Sequence, residues 1–299
     1  MIELLVPFYG PGEQLFDLVH SVLAQTSPHW RLLVVDDAWP GDPVGPGLMA
    51  LGDDRIRYRR NPDNLGVNGN FQRCLDLAEE ERVVFLGGDD LLLPSYVGRL
   101  ETMDALFPDA SVIQPGVEVI GEDGTVVSPL ADLVKRRLAP RVDEPTELGG
   151  EPLMASLLRG NWAYFPSLCW RREQIAAIGF DPSYDMVMDL ALLMQVLRDD
   201  GSLVVDPQVT FRYRRHDASY SALRALDGDR FADERGFFAR EATTLRAAGL
   251  TRAERSARLH LTSRLHALSL VATAARARRW DTLGSLLGHA LGRTSRKAA

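Results

Sequence analysis

Apolar positions along the first 110 residues recur in two alternating rhythms. Ile2 to Val6, apolar apart from Glu3, predicts a strand, and Leu15, Phe16, Leu18, Val19, Val22 and Leu23 fall at helical spacing before a second strand, Trp30 to Val35. The alternation continues with a short strand at Ile56–Tyr58, a helix carrying Phe71, Cys74, Leu75 and Ala78, and a continuous apolar strand, Val83 to Leu86. Strands without polar alternation are buried on both faces, as in a parallel sheet, so the class expected is α/β. In such sheets ligands bind beyond the carboxyl ends of the strands. That rule singles out Pro7–Tyr9, Asp36–Asp37 and Gly87–Asp90.

Further on, Pro94 opens a predicted helix to about Leu106, Val112–Gln114 is a strand, and Glu122-Asp123-Gly124 marks a hairpin turn. Residues 128–150 read as a mobile loop. A second half follows, with helices at Pro152–Leu158, Glu173–Ile178 and Asp189–Leu197 and strands at Ser167–Trp170, Leu203–Val205 and Thr210–Arg214. Beyond about Phe231 the pattern is helical, with Leu259, Leu261, Leu265, Leu268 and Leu270, then Leu283, Leu286, Leu287 and Leu291, on apolar faces.

The 299 residues and 45% hydrophobic content supply a core for one large domain with an appendage or for two smaller domains. The start of the chain has neither the basic nor the long apolar region of a secretory signal, and no apolar run approaches membrane-spanning length, so a cytoplasmic protein is expected. Cys74 and Cys169 sit in apolar contexts and are expected buried and reduced. The net charge of −7 hides an asymmetry: residues 251–299 carry ten Lys/Arg against Glu254 and Asp281, a local +8 that leaves −15 for the rest. An acidic body is a poor nucleic-acid binder but suits a cation that receives a compact diphosphate.

The chemistry concentrates at the strand ends. In Phe85-Leu86-Gly87-Gly88-Asp89-Asp90 two glycines allow close backbone approach and two acids repel unless they share a cation; hard oxygen ligands suit Mg2+ or Mn2+. Asp-Asp alone would be a solvated turn, and its place beside other strand-end sites favours a ligand. Val34-Val35-Asp36-Asp37 repeats the pattern, where one carboxylate can accept from a nucleobase imide or a ribose hydroxyl, or simply open a loop. Tyr9, after Pro7-Phe8, is placed to lie against a base or to pack in the core. Asn64-Leu65-Gly66-Val67-Asn68-Gly69-Asn70 is by itself a turn leading into a capped helix.

Taken together, Val6-Pro7-Phe8-Tyr9, Gln25-Thr26, Val34-Val35-Asp36-Asp37, Asn64-x-Gly66 with Asn70, and Phe85-Leu86-x-x-Asp89-Asp90-x-x-x-Pro94 resemble glycosyltransferase family 2 in order and spacing. The resemblance continues through Gly179-Phe180-Asp181, Asp189 and Tyr213-Arg214-Arg215-His216 with Ser219, covering about residues 2–220. It implies a GT-A type, Rossmann-like nucleotide-binding fold with a mixed central sheet and a C-terminal helical extension. The implied division is a catalytic domain over 1–225, with a nucleotide-sugar half at 1–115 and an acceptor half at 116–225, and helices over 226–299. The implied activity is metal-dependent, inverting transfer from a UDP- or dTDP-type nucleotide-diphosphate sugar to a hydroxyl of a sugar or small-molecule acceptor. Carried over by position, Pro7, Phe8 and Tyr9 lie by the nucleoside and Asp37 meets the base. Asn64, Gly66 and Asn70 line the nucleotide pocket, beside Gly88 and Asp89. Asp89–Asp90 form the DxD-type motif with Asp90 as principal metal ligand, Asp189 is the catalytic base, and His216 closes over the diphosphate or metal.

Three departures from the family pattern bear on these assignments. Gly87 replaces an acid, Met188 replaces the acid before the base, and Gln195 replaces an Arg, the last two together removing an ion pair. Asp189 has a competing role as a helix N-cap, with apolar neighbours that would lift its pKa. Asn161-Trp162-Ala163-Tyr164-Phe165-Pro166 offers aromatic faces to a sugar, or core packing. The basic tail fits a cap on the body or a homodimer arm better than a peripheral contact at the inner face of a membrane, since many of its apolar residues need covering. A sugar nucleotidylyltransferase is disfavoured because Pro7–Gly12 contains no Lys or Arg, and a non-catalytic nucleotide-sugar binder because Asp189 is retained. Product context, cell-surface polysaccharide or natural-product glycoside, stays open.

Overall fold

In a computed structural model the chain is described over residues 1–215, 229–276 and 280–291. The opening alternation forms as expected: β1 (Ile2–Phe8), α1 (Glu13–Leu23), β2 (Trp30–Asp36), α2 (Gly45–Met49), β3 (Ile56–Arg60), α3 (Gly66–Leu77) and β4 (Arg82–Phe85). Strands β3, β2, β1 and β4 are parallel neighbours, with Phe8 opposite Asp36 and Asp36 opposite Arg60, so their carboxyl ends share one edge. Alternate residues of each strand feed two cores. Leu5, Leu33 and Phe85 pack on the α3 side with Cys74 and Leu75, while Leu4, Val6, Leu32 and Val34 pack against Leu15, Leu18 and Val22 of α1.

The sheet continues through β5 (Leu91–Leu92), α4 (Tyr96–Leu106), β6 (Val112–Ile120), α5 (Leu130–Leu138), β7 (Thr146–Gly149), α6 (Gly150–Arg159), β8 (Cys169–Arg171), α7 (Arg172–Ile178), α8 (Met188–Arg198) and β9 (Ser202–Arg214). The strand order is β3-β2-β1-β4-β8-β6-β9-β5, with β7 also on β9. Strand β8 runs antiparallel to β4 and β6, whereas β6 and β9 are parallel, giving the mixed sheet of the GT-A fold. Both cysteines are buried free thiols.

Two local expectations are corrected. Residues 128–150 are not a loop but hold α5 and β7, because α5 inverts the usual pattern: it buries Asp132 and exposes Leu130, Leu133 and Val134. The two strands expected over 203–214 are one bulged strand. Its register shifts opposite Gly116, where a Cβ would lie 2.8 Å from the backbone of Pro207 and Gln208. The Glu122-Asp123-Gly124 turn is present, with Gly124 at φ +79° and Asp123 accepting from Thr125, but its return leg is a single bridge, Ile120 to Val126.

Helices α9 (Asp229–Ala247), α10 (Thr251–Leu259), α11 (Leu261–Arg276) and α12 (Trp280–Ala290) follow. Phe237, Phe238 and Leu245 of α9 and Ala253 and Ala257 of α10 enter the same core as α6 and α8, so packing is continuous from the sheet into these helices. No helix among the described residues is long and apolar enough to cross a membrane.

Candidate active site

The sheet edge gathers the strand-end residues. The Asp37 N–H donates to the Phe8 carbonyl at 2.8 Å, and the Leu86 N–H to Leu5 at 2.8 Å, which pins the three strand ends together. Asp36 and Asp37, adjacent in sequence, have separate tasks. Asp36 is internal: Oδ2 accepts from Tyr58 Oη at 2.6 Å and pairs with Arg60 at 2.5 Å, and Oδ1 accepts the Trp39 N–H at 2.9 Å. Burial and that bond to Asp36 push the Tyr58 phenol up. Asp37 Oδ1 accepts Asn61 Nδ2 at 2.8 Å and the Leu65 N–H at 2.9 Å, while Oδ2 takes no donor among the described residues. The oxygen left for an outside donor is thus on the residue expected to meet a base.

Asn70 is buried behind this acid rather than on an open wall. Its Oδ1 accepts Asn61 Nδ2 at 3.0 Å and its Nδ2 donates to the Val35 carbonyl at 3.1 Å, so it holds Asn61 against Asp37. Asn64 is exposed and accepts the N–H of Gly66, whose φ of +75° a side chain would strain. Phe8 belongs to the core and supports Gly88, where a Cβ would lie 3.2 Å from the Phe8 ring. Pro7 is half-buried, and Tyr9 is 52% exposed and meets Trp39 edge-on, centroids 4.9 Å apart. Trp39 follows Ala38 at φ 57°, and no sequence signal marked it as Tyr9's partner.

In the acid loop the two carboxylates sit in different surroundings. Asp90 is 1% exposed, with Oδ1 accepting the Arg214 N–H at 3.0 Å and Oδ2 the Gly87 N–H at 3.2 Å. Asp89 is half-buried. Burial, then the Asp89 carboxylate, pushes the Asp90 acid well above the usual range. Asp90 therefore braces the loop through two backbone N–H groups, and Asp89 is the more exposed of the two. A Cβ at Gly87 would lie 2.6 Å from Asp90 Oδ2 and 3.0 Å from Asp89 Oδ1. The two carboxylates thus crowd the side-chain position at 87, where any larger residue would have to displace them, and as adjacent hard oxygen donors they have the chemistry that suits a divalent cation. Arg214 binds backbone, donating to the Asp89 carbonyl at 2.7 Å and Glu122 at 2.7 Å. Among the described residues no three His, Cys, Asp or Glu side chains form a metal cluster, and His216 lies outside the described residues.

Asp189 is half-buried in the first turn of α8, where Val187 and not Asp189 holds the N-cap position. Its Oδ2 accepts Asn161 Nδ2 at 3.2 Å, which fixes the orientation of the carboxylate. Met188 is core and Gln195 bonds Asp199, so neither waits for a missing ion-pair partner.

With this geometry in place, the family model described as glycosyl transferase family 2 matches residues 3–159, just over half of the chain. The chain belongs to that family. It is a glycosyltransferase, and its similarity extends to named members. The putative teichuronic acid biosynthesis glycosyltransferase TuaG of Bacillus subtilis is 32% identical over 92 residues, 30% of this chain and 36% of TuaG. The Escherichia coli UDP-Glc:alpha-D-GlcNAc-diphosphoundecaprenol beta-1,3-glucosyltransferase WfgD is 25% identical over 126 residues, 42% of this chain and 49% of WfgD. The crystal structure of S. aureus TarS 1-349 in complex with UDP-GlcNAc shares the fold, with a TM-score of 0.59 at 13% identity over 99% of this chain and 93% of that one.

Asn161, which touches Asp189, carries no signal in the sequence beside the aromatic run that follows it. In this glycosyltransferase Trp162, Tyr164 and Phe165 are all buried, so they are core and not a sugar platform. The paired Gln25-Thr26 signature is architectural too: Gln25 bonds the Leu93 carbonyl and the Val97 N–H, and Thr26 the Pro94 carbonyl, fixing the turn after the acid loop. A separate groove of about 790 Å³ runs beside α8, lined by Phe180, Tyr184, Gln195 and Arg240 and not by the strand-end acids.

Proposed function

We propose that this glycosyltransferase moves a sugar, with inversion, from a UDP- or dTDP-type diphosphate sugar to an acceptor hydroxyl, with Asp189 as base. The observation that carries the reading is that one edge of the sheet holds Asp37 with a free carboxylate oxygen and the Asp89–Asp90 pair, while α8 presents Asp189 already oriented by Asn161. The nucleotide-sugar donor is further supported by the fold shared with TarS, solved with UDP-GlcNAc. Asp89, backed by Asp90, would hold Mg2+ or Mn2+, and such a cation supplies a Lewis acid for the diphosphate leaving group. The residues do the rest. Asp37 orients the base, Gly87 and Gly88 admit the diphosphate close to backbone, and Asp189 takes the acceptor proton. As the hydroxyl oxygen bonds to the anomeric carbon from the opposite face, the carbon–oxygen bond to the diphosphate breaks and its electron pair leaves with phosphate. A single displacement of this kind inverts the centre. The names TuaG and WfgD favour a cell-surface polysaccharide over a natural-product glycoside.

A screen of nucleotide sugars for slow donor hydrolysis with Mn2+ or Mg2+, run beside Asp89→Ala and Asp189→Ala, tests the proposal. Metal-stimulated hydrolysis of a UDP or dTDP sugar, lost in Asp89→Ala, is expected. Metal-independent turnover, or full acceptor transfer by Asp189→Ala, overturns it.

A further inference from the structure

Two helices distant in sequence expose leucines to solvent. On α5 the acid is inside: Asp132 accepts from Tyr164 Oη at 2.9 Å and pairs with Arg215 at 2.7 Å. Leu130, 79% exposed, Leu133 and Val134 face outward, beside the exposed Arg136 and Arg137. Helix α11 covers one apolar face, packing Ala267, Leu270, Val271 and Ala274 with Phe231 and Leu286. Its other apolar face, Leu261, Leu265 and Leu268 at positions i, i+4 and i+7, stays 53–54% exposed. The preceding α10 exposes Arg252, Arg255, Arg258 and Leu259. These elements meet at Gly160, where a Cβ would lie 2.6 Å from Leu138 of α5 and 2.8 Å from Thr262 of α11.

We infer that α5, α10 and α11 form one basic, leucine-bearing surface that docks on an anionic lipid bilayer. Exposed leucines at helical spacing flanked by arginines are the signature of a helix lying in the headgroup layer, where apolar burial and phosphate attraction add. Charge selects this occupant over a second copy of the chain. Arg136, Arg137, Arg252, Arg255 and Arg258 are all exposed on these helices, and a two-fold dimer through this face would set two such basic sets against each other, whereas lipid phosphates neutralise them. The surface lies on the membrane, since no described helix is long and apolar enough to cross it. It also borders the acceptor side, because Gly160 directly precedes Asn161, whose amide holds Asp189. The tail is thus covered on one face as a cap and leaves the other face for lipid.

The test is sedimentation of the full chain, without donor, with vesicles of phosphatidylglycerol and phosphatidylcholine and with phosphatidylcholine alone. Binding to the anionic vesicles only, weakened by salt, is expected. Leu265→Ser with Leu268→Ser, and separately Arg136→Glu with Arg137→Glu, should each weaken it by roughly tenfold or more while circular dichroism and donor hydrolysis stay unchanged. No anionic-vesicle binding, or binding indifferent to both pairs, overturns the inference. So does a dimer by light scattering that the leucine pair dissolves without lipid involvement. Asp189→Asn should bind vesicles normally, so failure of the base assignment shows in transfer assays and not here.

Discussion

Asn161 Nδ2 donates to Asp189 Oδ2 at 3.2 Å, joining the end of α6 to the first turn of α8 across 28 residues. Losing this donor removes a contact that orients the carboxylate. Asn161→Ala is expected to lower kcat for transfer by roughly tenfold through misplacement of the Asp189 carboxylate, with donor KM little changed. Asp189→Asn should cost about 10²–10⁴-fold. Steady-state kinetics separate the two variants; an unchanged kcat in Asn161→Ala, or a loss carried by donor KM alone, would refute the positioning role.

At the nucleotide end, Asp37 Oδ1 is engaged by Asn61 and Leu65 while Oδ2 is left for a ligand. Asp37→Asn keeps one acceptor oxygen but can present an NH2 to an imide. It should weaken nucleotide binding by about tenfold or more, as expected for a lost charge-assisted hydrogen bond of ~1.5–3 kcal/mol. Calorimetric titration with UDP and dTDP measures this directly.

Gly87 leaves the space in which the Asp89 and Asp90 oxygens converge. Gly87→Ala forces a Cβ to 2.6 Å from Asp90 Oδ2, and overpacking of this kind costs about 1–3 kcal/mol. The expected outcome is a lower melting temperature and a higher Mn2+ concentration for half-maximal donor hydrolysis. Unchanged metal dependence would place the cation elsewhere.

Asp132 is buried with Arg215 as its ionic partner. Arg215→Met would leave that carboxylate uncompensated, a loss of about 3–5 kcal/mol where a buried pair is broken from one side. Replacing Asp132 with Asn at the same time should recover much of it. Denaturant melts of the single and double variants decide.

Between α9, α11 and α12, His289 is fully buried, 2.6 Å from Ser263 Oγ and 4.0 Å from the Glu234 carboxylate, with the His260 ring 5.3 Å away. Burial first pushes its pKa down to about 4; Glu234 opposes this, while His260, Arg235 and Arg264 add to it. A folded-state pKa below the unfolded value of about 6.5 means that the unfolded chain binds more protons between these limits. Stability is therefore full above about pH 6.5 and falls as pH drops toward 4. Melts of the native chain and His289→Phe from pH 7.5 to 5 should show a shallower loss in the variant.

The strand-end acids, the family and the α/β order were legible in the sequence because each depends on local facts: apolar runs long enough to be buried on both faces, and acids and glycines placed directly after them. Val34-Val35-Asp36-Asp37 and Phe85-Leu86-Gly87-Gly88-Asp89-Asp90 carry their chemistry in contiguous residues. Only the tertiary structure decided which member of each pair is internal, since Asp36 and Asp90 are claimed by Tyr58, Arg60 and the Arg214 backbone, partners 22, 24 and 124 residues away. The same holds for α5, whose pattern looked like a loop because its buried residue is an acid paired with Arg215, 83 residues on. Asn161 was hidden for that reason as well: a single amide has no periodicity, and its meaning comes from where folding sets Asp189. Sequence alone therefore determined which chemical groups arrive at the sheet edge, through short-range burial and turn chemistry. Long-range packing decided which of them remain available to a ligand.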